Sequence, residues 1–190
     1  MKTTILEALR GDAKRYDHLG GWARNPGFWI GATHRARTWA ASVKSVFVRK
    51  PLSLSLRAVD LMWRTTLNVS ISEHANIGPG FCLIHPRNIM VGPCQMGRNA
   101  LIFHEVTIGT NANSDELPRI GDNVDVYVGA RVLGKITVGN EAKIGANCVV
   151  MNNVAAGSVV VPAANRVVPA GIVKAFGPDR PEVESTKRAS

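Results

Sequence analysis

From Ile120 onward an aliphatic residue returns every six positions, at Ile120, Val126, Val132, Val138, Ile144 and Val150. Four places after each stands a small or apolar residue: Val124, Ala130, Ile136, Ala142, Cys148 and Val154. Glycine often follows the lead aliphatic, as at Gly121, Gly139 and Gly145. An earlier block keeps the same beat through Ile71, Ile77, Leu83 and Ile89, then Met96, Ile102 and Ile108. A period of six suits neither an amphipathic helix nor an alternating strand. It predicts a mainly β chain, a left-handed parallel β-helix of hexapeptide repeats with three short strands to each triangular coil. The lead aliphatic points inward and stacks on its counterparts, while the small residue lets the chain turn.

The beat breaks twice. Ile89 to Met96 is seven residues, which places an irregular turn near Pro93 and Cys94. Between Ile108 and Ile120 the polar run GTNANSDELPR has no lead aliphatic and is expected to loop out. Loops leaving a rigid scaffold often carry binding groups.

Residues 1–68 follow another grammar and predict an N-terminal α-helical region. A first helix over the start is expected to break near Gly11. A second follows the turn signal Asn25-Pro26-Gly27 and carries Phe28, Ala32, Trp39, Val43 and Val46 at helical spacing. A third begins at Pro51, with Leu52, Leu56, Val59, Met62 and Trp63 along one side. All four tryptophans (Trp22, Trp29, Trp39 and Trp63) fall in this region, and the aromatic stripe reads as core or subunit packing. The expected division is 1–68 helical, 69–170 β-helix and 171–190 a polar tail.

The net charge of +9 attracts anions of many kinds. The basic residues are scattered and form no nucleic-acid-binding motif, so no nucleic-acid partner is expected. Three cysteines without regular spacing argue against a disulfide framework and a structural zinc site. No signal peptide or integral membrane segment is read, and a cytoplasmic setting is expected.

The repeat makes a spatial prediction about two histidines. His85 is the third residue of the unit led by Leu83, and His104 the third of the unit led by Ile102. These units are one coil apart, so the imidazoles should share a face on strands roughly 4.8 Å apart. Histidine suits proton removal from a hydroxyl near neutral pH. Glu73 and Glu105 are nearby carboxylates available to fix an imidazole tautomer.

From about residue 10 to 170 the chain resembles serine O-acetyltransferases and related hexapeptide acyltransferases. The likeness is carried by NPGFWIGATHRARTWA, ISEHANIGPGFCLIHPRNIMVG, HEVTIG, the loop to PRIG, VYVGARVLGKITVG and AKIGANCVV. It implies acetyl transfer from acetyl-CoA to a hydroxyl without a metal, with His85 as base and His104 as co-base or acceptor-binding residue. It also implies a homotrimer or a dimer of trimers, with acetyl-CoA in the groove between β-helices. Gly129, Ala130, Gly145 and Ala146 match the small positions that pantetheine passes, though the repeat itself also wants small residues there. Lys143, Arg166 and Lys174 are candidates for the CoA phosphates. Ser70, Arg87, Glu105 and Glu116 are the candidate acceptor-side residues.

Three departures bear on the acceptor. Ile84 precedes His85 where serine enzymes carry Asp, and Ser70 takes the place of the Asp that orients the base. Glu116-Leu117 replaces the Arg-His pair that holds a substrate carboxylate. The expected acceptor is therefore a sugar, polysaccharide or other small alcohol, with closer kinship to colanic-acid-type exopolysaccharide acetyltransferases. A true serine acetyltransferase and a non-catalytic scaffold are the alternatives. A zinc carbonic anhydrase on the same scaffold is less favoured, because His74, His85 and His104 lack its close histidine pair.

Overall fold

The computed structural model describes residues 4–110 and 116–163. Three parallel sheets wrap one narrow core. The first sheet joins β1 (Val69–Ile71), β4 (Ile89–Val91), β7 (Thr107–Gly109), β10 (Arg131–Leu133) and β13 (Val149–Val150). The second joins β2 (Ala75–Ile77), β5 (Cys94–Met96), β8 (Arg119–Ile120) and β11 (Thr137–Val138). The third joins β3 (Cys82–Leu83), β6 (Leu101–Ile102), β9 (Asp125–Val126), β12 (Lys143–Ile144) and β14 (Val159–Val160). From β1 to β13 successive strands belong to successive sheets, which is the parallel β-helix the repeat predicts. Each coil stacks its inward aliphatics on the next, as in the fully buried column Leu83, Ile102, Val126 and Ile144.

The register corrects the beat at two places. Val91, not Ile89, is the lead of its unit: it stacks on Ile71 and Ile108, while Ile89 pairs with Val69. Leu83 to Val91 is therefore eight residues and Val91 to Met96 five. The corner at 84–88 carries two extra residues, and the turn at Pro93 is one short. Near the other end Val154 bridges Val138, so it acts as a lead rather than a corner residue.

Helix α1 (Ile5–Arg15) starts with a capping box: the Thr4 hydroxyl accepts from the Glu7 N–H, and the Glu7 carboxylate accepts from the Thr4 N–H. It runs unbroken through Gly11, contrary to expectation. A Cβ there would lie 3.1 Å from the Pro79 side chain, so the glycine allows close approach to the first coil. Two short 3-10 turns (Asp17–Leu19 and Trp22–Arg24) lead to α2 (Pro26–Ala41), with Pro26 in its favoured first-turn place. Helix α3 (Val46–Leu67) starts ahead of Pro51, which lies inside it, and ends at Asn68 in a left-handed cap. No helix among the described residues is long and apolar enough to cross a membrane.

The helices dock on the first coil through polar groups. The Arg35 guanidinium donates to both oxygens of Asp12 and to the carbonyls of Ile77 and Gly78. His34, beside it, is buried, with Nε2 at 3.1 Å from the Ala75 carbonyl. Burial first, then the Arg35 charge, pushes the His34 pKa down to about 4. The folded protein thus keeps the ring neutral, whereas the unfolded chain protonates near 6.5. The stability contribution is intact above pH ~6.5, declines as pH falls toward about 4, and is lost below. Urea unfolding should show a decline of at most about 3 kcal/mol from this group over that window. His34→Gln should lack that component; matching pH slopes for variant and wild type would refute the assignment.

Candidate active site at the His85 corner

Between β3 and β4 the chain makes the extended corner Ile84–Asn88. Its two extra residues allow two left-handed backbone positions, His85 at φ 49° and Asn88 at φ 53°. This region costs most L-residues about 1–2 kcal/mol, and Asn and His occupy it more often than most. The corner is tied on both sides. The Asn88 N–H donates to the Leu67 carbonyl at 3.0 Å, and the Asn68 side chain donates to that of Asn88 at 3.1 Å. On the other side the Glu105 N–H donates to the Arg87 carbonyl at 2.9 Å. Pro86 is buried beneath, and the His85 imidazole is exposed.

His104 follows β6 in the same register. Leu83 pairs with Ile102, and the Ile84 N–H donates to the Ile102 carbonyl at 2.8 Å. The two imidazoles lie edge to face, with ring centroids 6.4 Å apart. His104 is half-buried, and its Nδ1 is buried without a hydrogen-bond partner.

The other candidates fall in different places. Arg87 and Glu105 share the corner and are exposed. Ser70 is half-buried in β1, in register with Met90. Glu116 forms an ion pair with Lys135 just before β8. Glu73 lies 3.7 Å from Arg37, so one of the two carboxylates considered for tautomer control already faces a cation. Ala130 is wholly inside the core. Gly129 has φ 70°, and a Cβ on it would meet the Asn147 side chain; a Cβ on Gly145 would lie 2.6 Å from the Val160 carbonyl. Coil stacking thus accounts for the small size of these three. Ala146 is half-buried and Lys143 exposed on the outer surface. Arg166 and Lys174 lie outside the described residues. Burial pushes the Cys94 thiol up to about 12 and raises that of Cys82, so neither is poised as a nucleophile.

Two features were not read from the sequence. Leu19, Arg24, Asn25 and Pro26 line a cavity of about 280 Å³ together with Ile84, His85 and Pro86. The Asn25-Pro26-Gly27 signal marks a turn there, but nothing in it says which corner the turn faces. Phe103 and Tyr127 stack at 5.2 Å on the outer face beyond His104, since both follow a lead of the third sheet.

No family model matches the chain. It is 35% identical over 133 residues to the serine acetyltransferase of Bacillus pumilus, covering 68% of this chain and 61% of that protein. Against the serine acetyltransferase of Helicobacter pylori strain J99 it is 33% identical over 115 residues, covering 59% of this chain and 67% of the relative. Among solved structures, Neisseria gonorrhoeae serine acetyltransferase in complex with serine superposes with a TM-score of 0.68 at 28% identity, over 85% of this chain and 68% of that one. The soybean serine acetyltransferase apoenzyme superposes with a TM-score of 0.65 at 30% identity, over 84% and 68%. The chain spans about three fifths of the length of the Bacillus relatives it matches. These names do not support the expected closer kinship to exopolysaccharide acetyltransferases.

Proposed function

The chain belongs to the serine acetyltransferase family, and from that membership we propose that it transfers acetyl from acetyl-CoA directly to the hydroxyl of a small acceptor, L-serine being the first candidate. The observation that carries this reading is the His85–His104 pair, presented on the outer face of adjacent coils at 6.4 Å. In the proposed step His85 takes the proton from the acceptor hydroxyl, and the oxygen attacks the thioester carbonyl. The new C–O bond forms as the C–S bond breaks, and the imidazolium returns its proton to the departing CoA sulfur. His104 supports the acceptor or assists the base. On the donor side, Ala146 leaves room for pantetheine, and Lys143 is a cation for a CoA phosphate. A homotrimer with the donor between neighbouring β-helices remains part of the proposal.

A sugar hydroxyl is the second reading. It draws on the apolar Ile84 beside His85 and on the stacked Phe103–Tyr127 surface near His104. Thiol release from acetyl-CoA, measured with L-serine and a panel of monosaccharides, separates the two. Turnover with L-serine well above acetyl-CoA hydrolysis is expected. Turnover with sugars alone would move the acceptor to the second reading, and no thiol release with any acceptor would refute the transferase reading.

A further inference from the structure

We propose that the cavity between the Leu19–Pro26 turn and the His85 corner is the acceptor subsite, and that Arg24 makes it select acceptors bearing a carboxylate; the acceptor role rests on the transfer reading above. The cavity holds about 280 Å³, just under the ~300–1,000 Å³ of sites for drug-sized ligands. It suits one small molecule, and both His85 and Arg24 line it.

Arg24 is exposed and meets no carboxylate among the described residues. Asp12 is taken by Arg35, Asp60 by Arg37 and Arg64, and Glu116 by Lys135. A guanidinium binds a planar carboxylate through two parallel N–H donors, which sets both charge and orientation. Its base is also held in place. The Trp29 indole N–H donates to the Ala23 carbonyl at 3.0 Å, and the Asn25 N–H donates to the Trp22 carbonyl at 3.1 Å. Trp22 packs on Phe28 and Trp29 with ring centroids 5.0 and 5.8 Å away. The start of α2 is pressed on β3, since a Cβ on Gly27 would lie 2.4 Å from the Leu83 carbonyl. The Leu83 N–H in turn donates to the Tyr16 hydroxyl at 2.9 Å. The aromatic stripe of the helical region therefore fixes the Arg24 turn against the coil that carries His85.

The test follows the His85 imidazole by NMR during titration of the full chain with L-serine, D-glycerate and L-serinamide. Saturable shifts are expected with the two carboxylates, and binding at least about tenfold weaker with serinamide. Arg24→Gln should weaken the carboxylates by about tenfold without weakening serinamide, and Arg24→Lys should restore part of the loss. In the thiol-release assay Arg24→Gln should raise KM for L-serine and leave KM for acetyl-CoA unchanged. No saturable shift with either carboxylate, or an equal effect of Arg24→Gln on all three compounds, would overturn the proposal. Carboxylate-dependent binding without thiol release would instead refute the transfer reading and leave the anion subsite standing.

Discussion

His85→Asn should lower acetyl-CoA thiol release by about 10²–10⁴-fold, the usual loss when a general base is removed, and leave the unfolding midpoint almost unchanged. Asparagine is the right replacement because His85 sits at φ 49°, where Asn is tolerated and Ala is strained. The imidazole is exposed, so its removal opens no cavity. His104→Asn should reduce turnover less and act mainly through KM for the acceptor, because its half-buried ring lies beside that of His85. A greater loss of kcat in His104→Asn than in His85→Asn would transfer the base role to His104. Unchanged turnover in both variants would remove the active site from this corner.

That histidine pair was legible in the sequence because its geometry depends on one local relation, the pairing of Leu83 with Ile102. Each histidine stands two residues beyond an inward lead, and the strands fix the rest. The shape of the corner between them was not legible. Ile89 and Val91 are both aliphatic and both buried, so either passes for a lead. The long step into Val91 and the short step out partly cancel, which hides two extra residues behind one apparent irregularity. Those extra residues let the corner hold two left-handed positions, His85 and Asn88, where the six-residue unit of His104 has one, Glu105. Arg24 escaped for another reason. Its turn is placed by contacts with a strand far along the chain, such as the Tyr16 hydroxyl on Leu83, and no local period records such contacts.

The same long-range docking sets the largest expected stability effect, at Asp12. Its carboxylate accepts from Arg35 at 2.6 and 2.8 Å and from the Gly80 and Phe81 N–H groups at 2.9 Å each. One side chain thus joins α1, α2 and the turn before β3. Asp12 is 2% exposed and Arg35 8%, so Asp12→Ala strands a buried guanidinium and two backbone donors. The expected loss is about 3–5 kcal/mol, the range for breaking a buried pair from one side. Asp12→Asn keeps an acceptor for the two N–H groups but not the charge, and should fall between the variant and wild type. Asp60→Ala should lose less, because the Asp60 side chain is 16% exposed and its Arg64 partner 44%. The Arg24 turn hangs between α1 and α2, so loosening at Asp12 should also raise KM for the acceptor before the β-helix unfolds. Urea unfolding with parallel kinetics on the three variants tests both effects. An Asp12→Ala protein within 1 kcal/mol (about the average mutational loss) of wild type would show that the helices dock without this ion pair.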